Sequence, residues 1–258
     1  MKIILNEKKV VEDALKYGKI DNKKPTTTIR LLIKYFYSQG KNKDEVRSLI
    51  EDFMKNNYKG FNIVKWNKQL DRMVKPNKYQ NYDLFVVDDV LISKNEIKRI
   101  SNIQNYRLEK IAFILLAYAK IYNQMNKTDS NWVNSELKDI FSDAKIAISS
   151  ESQAKMIYKL KELGLVDVSK KVDCTNIKVL FVDSSIKEED ILIRINNFKN
   201  FIYEYCRLKG EKIIECSECG CLIKKTSGTR KYCKECGKKK RQENVRKNVG
   251  NFRKKNQM

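Results

Sequence analysis

Ser150-Glu-Ser-Gln-Ala-Lys-Met-Ile-Tyr-Lys-Leu-Lys-Glu-Leu-Gly-Leu-Val-Asp-Val168 changes periodicity part-way along its length. Met156, Ile157, Leu160 and Leu163 recur at helical spacing, which places one apolar stripe on a single face. Ser150-x-x-Gln153 reads as a capping box that opens this helix, and Gly164 stops it, because glycine takes the left-handed conformation that ends a helix without steric cost. Leu165–Val168 then begins a β-rich run, and Ile177–Val182 returns after a polar tip holding Lys170 and Lys171. The pattern predicts a helix followed at once by a hairpin.

Upstream, Leu108, Ile111, Ala112, Leu115, Leu116, Ala119 and Tyr122 predict a long helix, and Val133, Leu137 and Ile140 a shorter one. Helix, helix, helix, hairpin over residues 105–185 is a winged helix-turn-helix. In that arrangement the third helix enters the major groove and the wing touches a flanking phosphate or the minor groove. Ser152, Gln153, Lys155 and Lys159 are the expected contacts of the helix, with Lys170 and Lys171 at the wing. Gln reads adenine in a bidentate fashion, and Lys reaches guanine or phosphate. Residues 107–183 hold twelve basic and ten acidic residues, so charge alone does not separate nucleic-acid binding from partner binding or a purely structural use.

Two Cys-x-x-Cys pairs, Cys216/Cys219 and Cys233/Cys236, lie thirteen residues apart. Such pairs converge on one tetrahedral ion, which predicts a closed four-cysteine zinc ribbon or knuckle over 212–237 with one structural Zn2+. Two disulfides or four plain thiols are the alternatives. Gly220 suits the left-handed backbone that follows a knuckle, and Cys221 is a competing ligand. Lys224, Lys225, Arg230, Lys231 and Lys234 would offset the charge of four thiolates. With every position filled by protein, no water is activated. Cys174 and Cys206 read as ordinary thiols.

From Gly237 to Met258 there are nine Lys/Arg and one Glu. Residues 238–258 form a basic tail in which Lys238, Lys239, Lys240, Arg241, Arg246 and Lys247, with Arg230 and Lys231, are expected to meet phosphates. Arg253, Lys254 and Lys255 extend it. The competing reading is a solvated charge run.

Residues 1–82 predict a helical bundle. Asn42-x-x-Glu45 caps a helix carrying Val46, Leu49, Ile50, Phe53 and Met54; Ile29, Leu32, Ile33 and Phe36 mark another; residues 7–17 a third. Residues 83–104 read as a short β-rich connector, in which Asp88-Asp89 between apolar runs has the shape of a polymerase-palm metal hairpin. No further carboxylate strand accompanies it, so an ordinary hairpin turn is expected. Residues 186–211 predict a strand (Ile191, Ile193, Ile195) and a docking helix (Phe198, Phe201, Ile202, Tyr205). The expected class is mainly α with small β, an α+β fold.

The 258 residues carry 54 Lys and Arg against 32 Asp and Glu, a net +22. Such a field attracts polyanions, with DNA expected before RNA. Because 43 of the 54 are Lys, part of the excess is a compositional bias spread over solvated faces. There is no His, which removes His-based triads and His general bases. The nine Gly form no phosphate-binding loop. The expectation is a non-enzyme without a small-molecule substrate. No apolar run reaches membrane-span length and no targeting sequence appears, so the expected place is the cytoplasm of a bacterial host cell.

On its capped third helix, Lys161-Glu-Leu-Gly-Leu-Val166 and the Val179/Phe181 return strand, segment 107–183 resembles the winged-helix domains of phage and plasmid replication initiators and replisome organisers. Glu215-Cys-x-x-Cys-Gly220 and Lys231-Tyr-Cys-x-x-Cys236 followed by basic residues are similar to tails of phage-encoded proteins of low-GC Gram-positive bacteria. The chain as a whole resembles a phage-encoded family of that kind. The resemblance implies a DNA-related role without naming one; with the charge and the winged-helix pattern, the expectation is a DNA-binding protein acting in replication or transcription control. The alternative is a phage-encoded inhibitor that binds a host nucleoprotein, such as an RNA-guided defence (CRISPR) complex.

Overall fold

A computed structural model describes residues 3–79, 81–170 and 176–255, with side chains up to residue 249. Lys171 and Cys174 lie outside the described residues. The chain divides into two compact units, Ile3–Asp88 and a second that begins at Asp89. Among the described residues there are ten α-helices and three small sheets, an α+β composition.

The first unit holds α1 (Glu7–Tyr17), α2 (Pro25–Ser38), α3 (Lys43–Asn57) and α4 (Ile63–Met73). Asparagine starts three of them. Asn6 accepts from the Lys9 N–H, and Asn62 from those of Val64 and Lys65. Asn42 forms the expected reciprocal box with Glu45. Each such cap satisfies donors that a helix start leaves open, about 1 kcal/mol apiece. Val11 and Ala14 of α1, Ile29, Leu32 and Ile33 of α2, Val46, Ile50 and Met54 of α3, and Leu70 of α4 make the core. The Arg47 guanidinium ties α3 to α4, meeting Asp71 at 2.9 Å, Glu51 at 2.8 Å and Asn67 at 2.8 Å.

The predicted Asp88-Asp89 hairpin does not form. Val86 instead bridges Asn6 in antiparallel fashion, with Glu7 N–H donating to the Phe85 carbonyl at 3.0 Å and Val87 N–H to that of Leu5 at 2.8 Å. The apolar run before Asp88 therefore closes the bundle on its own N-terminus. The run after it becomes β1 (Val90–Ser93), which pairs with β5 (Ile191–Ile195). Asp89 is held by Arg194 at 2.7 Å.

The second unit continues with α5 (Lys94–Ser101), α6 (Tyr106–Asn126), β2 (Trp132–Val133), α7 (Leu137–Asp143), α8 (Ser150–Glu162), β3 (Val166–Val168) and β4 (Ile177–Val179). After β5 come α9 (Ile202–Leu208), β6 (Ile213–Glu215), β7 (Leu222–Lys224) and α10 (Lys234–Lys255). Every side chain from Ile111 to Ala119 is buried. A helix that is apolar on all sides needs cover on all sides, and α5, α7, α8, α9, β1, β2 and β4 supply it. Polar groups fix those neighbours in place. Glu109 accepts from the Tyr205 hydroxyl at 2.7 Å and pairs with Lys209 at 2.9 Å. Tyr118 donates to Asp143 at 2.5 Å, and Lys120 pairs with Glu96 at 2.7 Å.

Strands β2, β4 and β3 form one antiparallel sheet in that order, with Val133 and Val168 both opposite Ile177. Val133, expected on a helix, is thus a strand residue. The cap of α8 is Ser149, whose Oγ accepts from the Ser152 N–H, one residue earlier than the Ser150-x-x-Gln153 box. Residues 94–101, expected within a β-rich connector, are helix α5, opened by a capping box between Ser93 and Glu96.

Candidate metal centre

β6 and β7 form a hairpin in which Ile214 faces Ile223, and its turn is the first knuckle. Cys216 N–H donates to the Cys221 carbonyl at 2.9 Å, and Gly220 N–H to that of Cys216 at 2.9 Å. Gly220 has φ +66°, the left-handed conformation that a side chain would oppose. The second knuckle opens α10: Cys233 precedes the helix, Cys236 lies in its first turn, and Gly237 N–H donates to the Cys233 carbonyl at 2.8 Å.

The Sγ atoms of Cys216, Cys219, Cys233 and Cys236 all lie within 4.8 Å of one another. Metal–sulfur bonds of about 2.3 Å in a tetrahedron put the sulfurs about 3.8 Å apart. The Cys219–Cys233 separation is 3.9 Å, close to that value, so the four thiols are gathered where they could hold a single ion. Backbone donors already face the sulfurs: Cys233 N–H is 3.3 Å from Cys216 Sγ, and Cys236 N–H is 3.4 Å from Cys233 Sγ. Burial pushes the Cys216 thiol up, but N–H groups from Cys233, Glu218 and Cys219 outweigh it and bring it down to about 6. Hydrogen bonds to the thiolate favour the charged, metal-binding form.

Outer contacts hold the two knuckles. Asn197 donates to the Cys219 carbonyl at 3.3 Å, and Asn200 to that of Leu222 at 3.2 Å. The Lys199 ammonium stands 3.9 Å from Cys233 Sγ and 2.6 Å from Glu235. Ser217 N–H reaches the Lys231 carbonyl at 3.0 Å, linking one knuckle to the other. The expected competitor Cys221 is fully buried, with Sγ 3.4 Å from that of Cys219. Burial, followed by the neighbouring Cys219 thiol, pushes it up, which favours its neutral form beside the four ligands. Cys206 lies in α9, outside the cluster.

No family model, curated protein or solved structure matches this chain.

The basic candidates fall in two places. On α8, Lys155 and Lys159 are exposed and Ser152 is half-buried; Lys155 pairs with Glu151 at 2.5 Å. Gln153 is a correction. It is only 9% exposed, and its amide donates to the Ile148 carbonyl at 3.3 Å, so it closes the helix start rather than facing outward. Tyr158, not singled out in the sequence, is 61% exposed on the same helix. Lys170 is exposed just beyond β3.

The second place is the metal module and α10. Arg230 is half-buried and donates to Thr226 Oγ1 at 3.0 Å, while Lys231 is exposed. Lys238, Lys239, Arg241, Arg246 and Lys247 are all exposed. Lys240 is engaged, 3.3 Å from Glu218 and 3.8 Å from Glu243. The predicted tail is helical to Lys255. No described helix is long and apolar enough to cross a membrane. Asp88 and Asp89 join no metal-holding cluster among the described residues.

Proposed function

We propose that the chain is a zinc-containing, non-enzymatic DNA-binding protein of a phage or mobile element, acting in replication or transcription control. The observation that carries this is the order α6, β2, α7, α8, β3, β4 with the sheet order β2-β4-β3. That connectivity is what a winged helix-turn-helix requires. In it α8 is the groove helix, Lys155 and Lys159 reach guanine or phosphate, and Lys170 touches a flanking phosphate. Four thiolates select a soft or borderline cation, and zinc fits them without demanding another geometry. Having no open position, it folds the module and turns no substrate over. The ion then anchors α10, whose ten Lys/Arg against two Glu give it a net +8.

Fluorescence anisotropy of a labelled duplex across a salt series tests this. If about six phosphates are neutralised, log K falls with log[salt] with a slope near −5. A flat titration would sink the proposal.

A second reading has one observation in its favour. Tyr158 and Leu163 of the α8 segment are 61% and 53% exposed, and exposed aromatic and aliphatic groups suit a protein partner. On this reading the chain is an inhibitor of a host nucleoprotein. A host protein retained after nuclease digestion, and released by Tyr158→Asp with Leu163→Asp, would favour it over direct DNA binding.

A further inference from the structure

The unabsorbed feature of the second unit is α10 as a helix. A tail that only neutralises phosphate has no need of regular structure, yet α10 runs as helix from Lys234 to Lys255 although ten Lys/Arg repel one another along it. The metal module fixes which way the helix faces. Cys236 turns toward the other thiols, and Lys240, one turn on, pairs with Glu218 of the first knuckle. Val245 stands nine residues beyond Cys236, about two and a half turns at 3.6 residues each, so it lies on the opposite side.

Around Val245 the spacing collects Arg241, Asn248 and, one step round, Gln242 and Val249 on one face. All five are exposed, Val245 to 60% and Val249 to 44%. Two exposed valines on so polar a helix are left open to solvent among the described residues. Arg241, Arg246 and Lys247 make no ion pair or hydrogen bond among the described residues. Lys238, seven residues before Val245, stands within the stripe, and Lys239 and Arg246 flank it.

We infer that α10 lies in the major groove of B-form duplex DNA and reads base edges with Arg241, Gln242, Val245, Asn248 and Val249. The inference rests on the DNA-binding reading above and adds to the contacts of α8 a second set of base contacts on α10. The stripe holds each chemistry that major-groove edges call for: Arg for guanine O6 and N7, Gln and Asn for adenine, and an aliphatic surface for the thymine methyl. Lys238, Lys239 and Arg246 then meet phosphates at the groove wall. The reach suffices, since Lys238–Lys255 extends about 27 Å at 1.5 Å per residue and the groove is about 12 Å wide. Negative charge along both walls relieves the repulsion that a net +8 imposes on a single helix. A-form RNA offers no such seat, its major groove being too narrow for side chains to read.

The test uses the metal-loaded full chain. Selection from a pool of random-sequence duplexes is expected to enrich a motif, with guanine N7 in that motif protected from methylation. Val245→Pro keeps every charge and breaks the helix; it is expected to bind the selected duplex about tenfold more weakly or worse, with the metal retained. Arg241→Ala with Gln242→Ala is expected to erase the preference for the selected over a scrambled duplex. Double-stranded RNA of the same length is expected to bind about tenfold more weakly than the selected duplex.

Absence of any enriched motif, wild-type affinity in Val245→Pro, or equal binding of RNA would overturn the inference. So would a preference that survives Arg241→Ala/Gln242→Ala but disappears in Lys155→Ala/Lys159→Ala; α8 would then be the reader and the DNA-binding reading would stand. Failure of the wild-type chain to bind any duplex would remove both.

Discussion

Lys120 is the residue on which the second unit's interior charge depends. It is 9% exposed and meets the wholly buried Glu96 at 2.7 Å. The same carboxylate accepts backbone N–H groups from Ser93 and Asp183, each at 2.8 Å. Removing one partner of a buried pair strands the other charge, at a cost of about 3–5 kcal/mol. Lys120→Met is therefore expected to lower the stability of this unit by that amount, read from the urea midpoint. A loss under about 1 kcal/mol would mean that the two backbone donors hold Glu96 unaided. The pair is not legible in the sequence, because its members are 24 positions apart and belong to different helices. The four metal-site cysteines are legible for the opposite reason: a two-residue gap sets the knuckle locally, and only their convergence depends on the fold. Gln153 falls between these cases. A one-residue shift of the cap, from Ser150 to Ser149, puts it on the inward face, where its amide closes on Ile148.

At the scale of elements, long periodic runs are legible in the sequence and short ones are not. β2 has two residues and owes its strand geometry to pairing with β4, an interaction no local pattern announces. α5 carries its signal openly, Ser93-x-x-Glu96 followed by Ile97 and Ile100, yet the apolar run before it suggests strand throughout. α6 shows one stripe in the sequence, whereas Phe113, Ile114, Ala117 and Tyr118 bury its remaining faces. α10 is the element whose conformation depends most on something other than its own sequence. Its neighbours in space are the knuckles, and a polar helix of this kind is marginal in water without tertiary support. Removing the metal with a chelator is expected to unfasten the β6–β7 turn from Cys233 and Cys236 and to melt α10. The readout is a loss of helical circular dichroism that returns on adding zinc, with tight duplex binding lost and regained in parallel. Helicity unchanged by chelation, with metal release verified, would show that α10 stands without the site.

For the whole molecule, the decisive property is that each unit has a core of its own. The core of Ile3–Asp88 is drawn entirely from α1 to α4 and the residues that follow α4, and the cysteine cluster belongs to the other unit. A ligand that binds only the native form of one unit stabilises that unit by mass action and leaves an uncoupled one alone. The two tryptophans report the units separately: Trp66 lies on α4, beside Tyr58 at a ring separation of 5.9 Å, and Trp132 lies in β2. Single-tryptophan variants, Trp132→Phe and Trp66→Phe, each leave one reporter. In denaturant, chelation is expected to lower the midpoint seen by Trp132 and to leave that seen by Trp66 unchanged. A metal held by the four cysteines would act on the second unit through α9, against which the β6–β7 hairpin packs, and through α6, which α9 helps to cover. The shift at Trp132 therefore measures how far the knuckles are coupled to the helical core. Equal shifts at both tryptophans would mean that the chain unfolds as one cooperative block, and that the metal supports the N-terminal helices as well.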